Sequence, residues 1–226
     1  MPQAVVLSWS GGKDSSLALA ALRADDRYEV VGLLTSITSG HDHVSIHGVR
    51  RELVDAQAAE IGLPLYEVTL APASSNEAYE SAFLAALVRV HAAAPAVKLI
   101  GFGDLYLEDV RAYHERLVRS AGFEPLFPLW GRDTTRLSSV FIMPGFGAVL
   151  VCVDTTQLAG SFAGREFDAA LIAELPADVD PCGEGGEFHT FVHSGPEFRR
   201  PIPVRRGDTV LRDGRFMYCE LLPDGA

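Results

Sequence analysis

The sequence predicts an α/β fold, a parallel sheet flanked by helices with a smaller mixed lobe at the C-terminal end. Three observations predict it. Short apolar runs at about 4–9, 30–35, 65–68 and 97–100 alternate with helix-length segments, the pattern of βαβ units. A glycine pair, Gly11-Gly12, joins the first run directly to the first helix. Beyond Asp180 the chain turns to short strands at 188–193, 201–205, 208–211 and 215–222, with Asp213-Gly214 marking a hairpin. The division falls at about residue 125, with a sheet domain over 1–125 and a second lobe over 126–226.

Each element has its own signal. The run 4–9 is continuously apolar and suits a strand buried on both faces. The helix over about 14–23 is apolar almost all round through Leu17, Leu19, Ala21 and Leu22, so it is expected to be buried. From Gly48 a helix runs to Ile61 with Val49, Leu53 and Ala56 on one stripe, and Gly62 stops it. Tyr79, Phe83, Leu87 and Val90 recur at helical spacing over 76–93, which makes their rings core rather than ligand contacts. A helix over 107–120 carries Arg111 and Glu115 four apart, an ordinary surface pair, while Tyr113 and His114 have no evident assignment. Prolines 125 and 128 bracket a short strand, Asp133 caps the next helix, and 147–153 is a further buried strand.

Composition narrows the class. With 226 residues, 48% of them hydrophobic, the chain has ample material for a core and no apolar stretch long enough to span a membrane. No basic region followed by an apolar segment marks an export signal at the N-terminus. Cys152, Cys182 and Cys219 lie far apart and read as reduced thiols of a cytoplasmic protein. A net charge of −11 argues against a broad nucleic-acid surface. His41, His43 and His47 raise the thought of a metal. No cysteine or spaced carboxylate completes a ligand set, so 36–47 is read as a mobile loop over a ligand.

The chemistry concentrates in two stretches. In Ser10-Gly11-Gly12-Lys13-Asp14-Ser15-Ser16, glycines turn the backbone and the following helix offers unpaired N–H groups and a positive dipole end. Ser10, Ser15 and Ser16 add hydroxyls and Lys13 a mobile charge, so an anion such as pyrophosphate is favoured there. The mononucleotide P-loop spacing fails at Leu7 and at Asp14. Asp14 beside phosphates makes chemical sense with a divalent cation, Mg²⁺ being the natural one. Gly103-Asp104 follows the 97–100 run, where open parallel sheets bind ligands, although Asp104 could equally cap the next helix.

The second stretch is Asp180-Pro181-Cys182-Gly183-Glu184-Gly185-Gly186-Glu187-Phe188-His189-Thr190. A strand beginning near Glu187 would put Glu187 and His189 on one face, a carboxylate–imidazole pair able to bind an amine, orient a base or hold a metal. A tight turn with solvated charges is the plainer reading. Cys182 is expected to be a packed thiol rather than a nucleophile.

The loop at 10–15 resembles the pyrophosphate loop of the N-type ATP pyrophosphatases. With Gly103-Asp104 and Glu184-Gly185-Gly186-Glu187-Phe188-His189-Thr190 added, nearly the whole chain resembles the diphthine–ammonia ligase family. The resemblance implies a five-stranded parallel sheet of the adenine-nucleotide-hydrolase, Rossmann-like type. It implies cleavage of ATP between its α- and β-phosphates, adenylation of a carboxylate, and displacement of AMP by ammonia to give an amide. Ser45-Ile46-His47-Gly48-Val49-Arg50 and Glu187-Phe188-His189-Thr190 depart from the eukaryotic and archaeal pattern and look like the largely bacterial branch, which leaves diphthine itself less supported than the ligase chemistry.

On this reading Ser10, Gly11, Gly12, Lys13, Ser15, Ser16 and Gly103 bind ATP, and Asp14 holds Mg²⁺. Lys13, Asp14, Asp104 and Glu187 are catalytic, and Glu184, Glu187 and His189 face the acceptor. The acceptor is a small-molecule or protein carboxylate, such as diphthine or a corrinoid precursor, and a homodimer is the assembly to test. Two rivals stand beside this reading: a tRNA-modifying ATPase on the same loop, and a nucleotide sensor that hydrolyses nothing.

Overall fold

The computed structural model describes residues 1–39, 43–44, 48–143 and 145–224. Two sheets are present. In the first, β1 (Gln3–Ser8) lies parallel to β2 (Tyr28–Thr38) on one side and to β5 (Leu99–Gly101) on the other. On its far side β2 pairs with β4 (Leu65–Leu70), and β5 pairs with β6 (Glu124–Leu126), both parallel. The sheet thus has the five parallel strands the resemblance implies, in the order β4-β2-β1-β5-β6. A two-residue strand, β3 (His43–Val44), adds antiparallel to Ile37 and Thr38 of β2. It falls within the expected 36–47 loop. His41 and His47 of that loop, and Ser45 and Ile46 beside them, lie outside the described residues.

Helices cover both faces. On one, α1 (Lys13–Arg23) and α2 (Arg51–Ile61) bury Leu17, Leu19, Leu22, Leu53 and Ile61. On the other, α3 (Asn76–Ala93) and α4 (Glu108–Ser120) bury Phe83, Leu87, Val90, Leu117 and Val118. Alternation along β1 assigns its side chains accordingly: Val5 and Leu7 join the first cluster and Val6 the second. Gly62 ends α2 in the left-handed conformation at φ 78°, as its position predicts.

Asp133 caps α5 (Thr134–Phe141) by accepting from the Arg136 N–H at 2.7 Å. The second sheet is antiparallel in the order β8-β7-β10-β9, from β7 (Gly147–Asp154), β8 (Phe188–Ser194), β9 (Val204–Arg212) and β10 (Phe216–Pro223). Asp213 and Gly214, at φ 52° and 63°, make the left-handed turn of the β9–β10 hairpin. The first apolar cluster does not stop between the sheets. It runs from Leu7 and Leu17 to Val149, Leu150, Phe188 and Phe191.

Two sequence expectations are corrected, and one element is added. Pro125 lies inside β6 rather than beside it, which an edge strand tolerates because one side needs no N–H donor. The expected strands at 201–205 and 208–211 are one strand, β9, which begins only at Val204 and pairs with β10 with a register shift near Cys219. A short helix, α6 (Ala169–Glu174), had no periodic signal; Asp168 caps it at the Leu171 N–H, 2.8 Å away.

Candidate active site

After β1 the chain winds outward to β2 and β4, then returns to β1's other side with β5. Parallel sheets open a crevice at such a reversal, beyond the carboxyl ends of the strands. A cavity of about 240 Å³ lies there, lined from β1 by Ser8, Ser10, Gly12, Lys13, Asp14 and Ser15, and from β5 by Phe102, Gly103 and Asp104. His114 and the second motif's Gly183, Glu184, Gly186, Phe188, His189 and Thr190 complete it. The two dense stretches, some 170 residues apart, thus share one wall.

The loop is held rigidly. Gly11 adopts φ 78°, and any Cβ on it would meet the Gln57 Oε1 at 2.8 Å. Gln57 is fully buried; its Nε2 donates to the Gly11 carbonyl at 3.0 Å and the Val192 carbonyl at 2.7 Å, and its Oε1 accepts from the Trp9 indole at 2.8 Å. Two loop N–H groups are spent internally, Gly12 on the Ser10 hydroxyl at 3.2 Å and Lys13 on the Thr190 hydroxyl at 3.0 Å. Ser15 Oγ donates to the Gly12 carbonyl at 2.9 Å. Gly103 lets β5 approach closely: a Cβ there would sit 3.0 Å from the Asp14 carbonyl carbon and 3.2 Å from the Ser15 nitrogen.

Lys13 is not the mobile charge its sequence suggests. It is 2% exposed, and its Nζ donates to both Asp14 oxygens, at 2.8 and 3.0 Å, and to the Cys182 carbonyl. Burial alone would lower its pKa, but the Asp14 carboxylate beside it prevails and the ammonium stays charged. Ser16, expected to bind ATP, has its hydroxyl buried without a partner and does not line the cavity.

Asp104 does not cap α4, whose cap is Leu107 without a side-chain bond. Its Oδ2 instead lies 2.7 Å from the His114 Nδ1, and the imidazole stacks on Phe102 with centroids 4.2 Å apart and planes 12° apart. A carboxylate on Nδ1 favours the tautomer whose Nε2 is an acceptor. The sequence leaves His114 unassigned; ten residues separate it from Asp104, and only the return of α4 over β5 unites them. Arg111 pairs with Glu115 at 2.8 Å, as expected.

In the second motif Glu184 is the carboxylate that faces the cavity, its Oε1 accepting from Leu105 N at 2.7 Å and Tyr106 N at 3.4 Å. Burial, with the Asp14 and Asp104 charges, pushes its pKa up to about 7 against those two bonds. Glu187 is not in the cavity wall. The strand begins at Phe188, and a register shift opposite Thr190 and His189 breaks the alternation, so Phe188, His189 and Thr190 all reach the cavity. Cys182 is the packed thiol expected, 1% exposed, donating to the Thr134 carbonyl at 3.3 Å, its pKa pushed by burial to about 12.

Glu184 gives the site a pH signature. Any activity that uses the Glu184 carboxylate as a base is expected to rise through an ionisation near 7 that Glu184→Gln removes. The stability linkage has the opposite sense. A carboxyl raised from 4.5 to about 7 in the folded state stabilises most below 4.5 and loses that contribution as pH climbs to about 7. Melting temperatures across that window should therefore fall more steeply for the wild type than for Glu184→Gln; parallel curves would contradict it.

Comparison with known proteins now bears on this geometry. The family profile of the diphthamide synthase N-terminal domain matches residues 3–125, and that of the diphthamide synthase C-terminal domain matches residues 133–218. The chain belongs to the diphthamide synthase family. Among curated relatives, the diphthine–ammonia ligase of Schizosaccharomyces pombe is 26% identical over 239 residues, which take in 94% of this chain and 38% of that protein. The diphthine–ammonia ligase of Danio rerio is 27% identical, over 89% of this chain and 86% of its own length. That of Rattus norvegicus is 26% identical, over 89% and 83%. The chain thus spans well under half of the fission-yeast protein and most of the two vertebrate ones. A U34-tRNA thiolase from Methanococcus maripaludis, 16% identical with a TM-score of 0.37 over 62% of this chain and 57% of its own, bears on neither fold nor function. No helix among the described residues is long and apolar enough to cross a membrane.

In this chain the donor set suits Mg²⁺ brought by a nucleotide. Asp14, Asp104 and Glu184 line the cavity, and its one ammonium, Lys13, is already engaged by Asp14. A polyphosphate would be repelled there without a further cation. Among the described residues no cluster of acid, histidine or cysteine side chains could hold a metal alone. Mg²⁺ takes most of its oxygens from phosphates and water and needs only one or two carboxylates, which Asp14 can supply.

Proposed function

We propose that this chain is an ATP-dependent, AMP-forming ligase that adenylates a carboxylate and converts it to an amide with ammonia. The observation that carries it is one cavity formed jointly by a rigid glycine loop at a helix N-terminus and by Asp104, His114 and Glu184. The loop, with the dipole of α1, holds the polyphosphate. Lys13 offsets negative charge at the pyrophosphate from its fixed position against Asp14. Mg²⁺, when bound at Asp14, would supply electrostatic shielding of the phosphate oxygens.

The acceptor carboxylate attacks the α-phosphorus, the bond to the β-phosphate oxygen breaks, and pyrophosphate leaves with the electron pair. Ammonia then attacks the carbonyl carbon, the carbon–oxygen bond to AMP breaks, and the nitrogen sheds a proton. Glu184, with a pKa of about 7, is suited to take that proton. The Asp104–His114 pair, next to the Leu105 N–H from which Glu184 accepts, positions the acceptor. In this scheme residues 1–125 supply the ATP loop and the Asp104–His114 pair, and residues 126–226 supply Glu184. The three buried free thiols support a cytoplasmic setting.

The test is the product. With ATP, Mg²⁺ and ammonium, chromatography should show AMP and pyrophosphate. ADP as the main product would overturn the pyrophosphatase reading at its root.

A further inference from the structure

A second cavity, of about 550 Å³, lies between α1 and α5 and shares no lining residue with the first. Its apolar surface comes from Leu17, Ala20 and Ala21 of α1, from Leu129, and from Leu137 and Val140 of α5. Leu17, Leu129 and Leu137 are buried core residues, so the cavity is cut into the core rather than laid on the surface. Methyl side chains at Ala20 and Ala21 leave the space open. Val140 keeps 41% of its surface in solvent.

Arg132, Asp133 and Arg136 supply the polar part of the lining. Asp133 is engaged as the cap of α5, its Oδ1 accepting from the Arg136 N–H at 2.7 Å. Among the described residues neither guanidinium has a carboxylate partner, although most arginines of this acidic chain have one. Helix energetics do not explain the pair. Arg132 precedes the cap of α5 and Arg136 is the third residue of the helix, where the dipole favours acids over bases. Two unpaired guanidinia beside an apolar cavity are complementary to an anion with an apolar body. The two positive charges less that of Asp133 leave one, which matches a carboxylate and not a doubly charged phosphate monoester. Apolar walls with a few polar groups, enclosing about 300–1,000 Å³, are the usual form of a small-molecule site.

We propose that the α1–α5 cavity is a binding site for a small monocarboxylic acid with an aliphatic body. Arg132 and Arg136 hold the carboxylate, and the aliphatic chain covers Ala20, Ala21 and Val140. The site does not rest on the ligase reading. One helix lines both cavities, through Lys13, Asp14 and Ser15 in the first and Leu17, Ala20 and Ala21 in the second.

The probe is sodium octanoate added to the full chain without ATP, read by calorimetric titration and by melting temperature at fixed ionic strength. Saturable binding is expected. Two partial ligands, 1-octanol without the charge and sodium acetate without the chain, should each bind at least about tenfold more weakly. Arg132→Ala and Arg136→Ala, both at exposed positions, should each weaken octanoate about tenfold with the fold intact by circular dichroism. Val140→Asp, which sets a like charge on a half-exposed side chain of the cavity, should weaken it too. Octanol bound as tightly as octanoate would mean an apolar cleft alone, and acetate bound as tightly an adventitious ion only; either overturns the site. So would octanoate affinity unmoved in both arginine variants, octyl phosphate preferred to octanoate, or no saturable binding. Octanoate binding as expected with no AMP formed under any condition would instead sink the ligase reading and leave the site standing.

Discussion

Replacing Lys13 by alanine is expected to cut AMP release by roughly 10²–10³-fold, the loss typical when one preorganised charge at a developing anion is removed. The structure adds a second effect. Lys13 is buried, bridges Asp14 to the Cys182 carbonyl and lies 5.5 Å over the Phe188 ring. Its removal strands the Asp14 carboxylate and a carbonyl of the second motif together. Because the Asp14 side chain keeps 30% of its exposure, water relieves part of that, and a destabilisation of about 1–3 kcal/mol is expected. The double variant Lys13→Ala/Asp14→Asn separates the two effects. It should recover most of the lost stability, measured by urea unfolding, and none of the turnover. A single variant within threefold of wild-type activity would show that the lysine merely staples the two motifs.

The second large effect is expected from Gly103→Ala. A methyl there would meet the Asp14 carbonyl carbon at 3.0 Å, its oxygen at 3.1 Å and the Ser15 nitrogen at 3.2 Å. These are backbone atoms in the first turn of α1 and cannot swing aside. The end of β5 must therefore move away from the phosphate loop, carrying Asp104 with it. Displacements of this kind, even below an ångström, can cost about 10² in rate. Gly122→Ala supplies the contrast. Its φ is 80° with nothing within 4 Å, so it should lose about 1 kcal/mol in stability through backbone strain and nothing in rate. If Gly103→Ala behaved like Gly122→Ala, the close approach of β5 to α1 would not matter to catalysis.

What could be read from the sequence was local. The strand, turn and helix over 3–23 follow one another without interruption, so apolar pattern and glycine placement suffice to find them. The family likeness implied five parallel strands but not their order, since period alone says nothing of which strand neighbours which. The site was legible as two motifs but not as a division of labour. Glu184 and Glu187 look equivalent in a string of glycines. Left-handed turns at Gly183 and Gly186, φ 65° and 82°, send one carboxylate to the cavity and the other behind it. Asp104 and His114 meet only because α4 folds back over β5. Lys13 looked free because its neighbour Cys182 is 169 positions away.

Gln57 joins the phosphate loop to β8 through one amide, touching Gly11, Val192 and Trp9 at once. Folding the core therefore sets the loop's shape before any nucleotide arrives. ATP meets a preorganised cradle, and little conformational entropy remains to be surrendered on binding. Such a site discriminates by fit, because a ligand of different phosphate geometry cannot recruit loop motion to accommodate itself. On the proposed ligase reading, the same rigidity leaves adjustment to the glycine turn at 183–186 on the other side of the cavity.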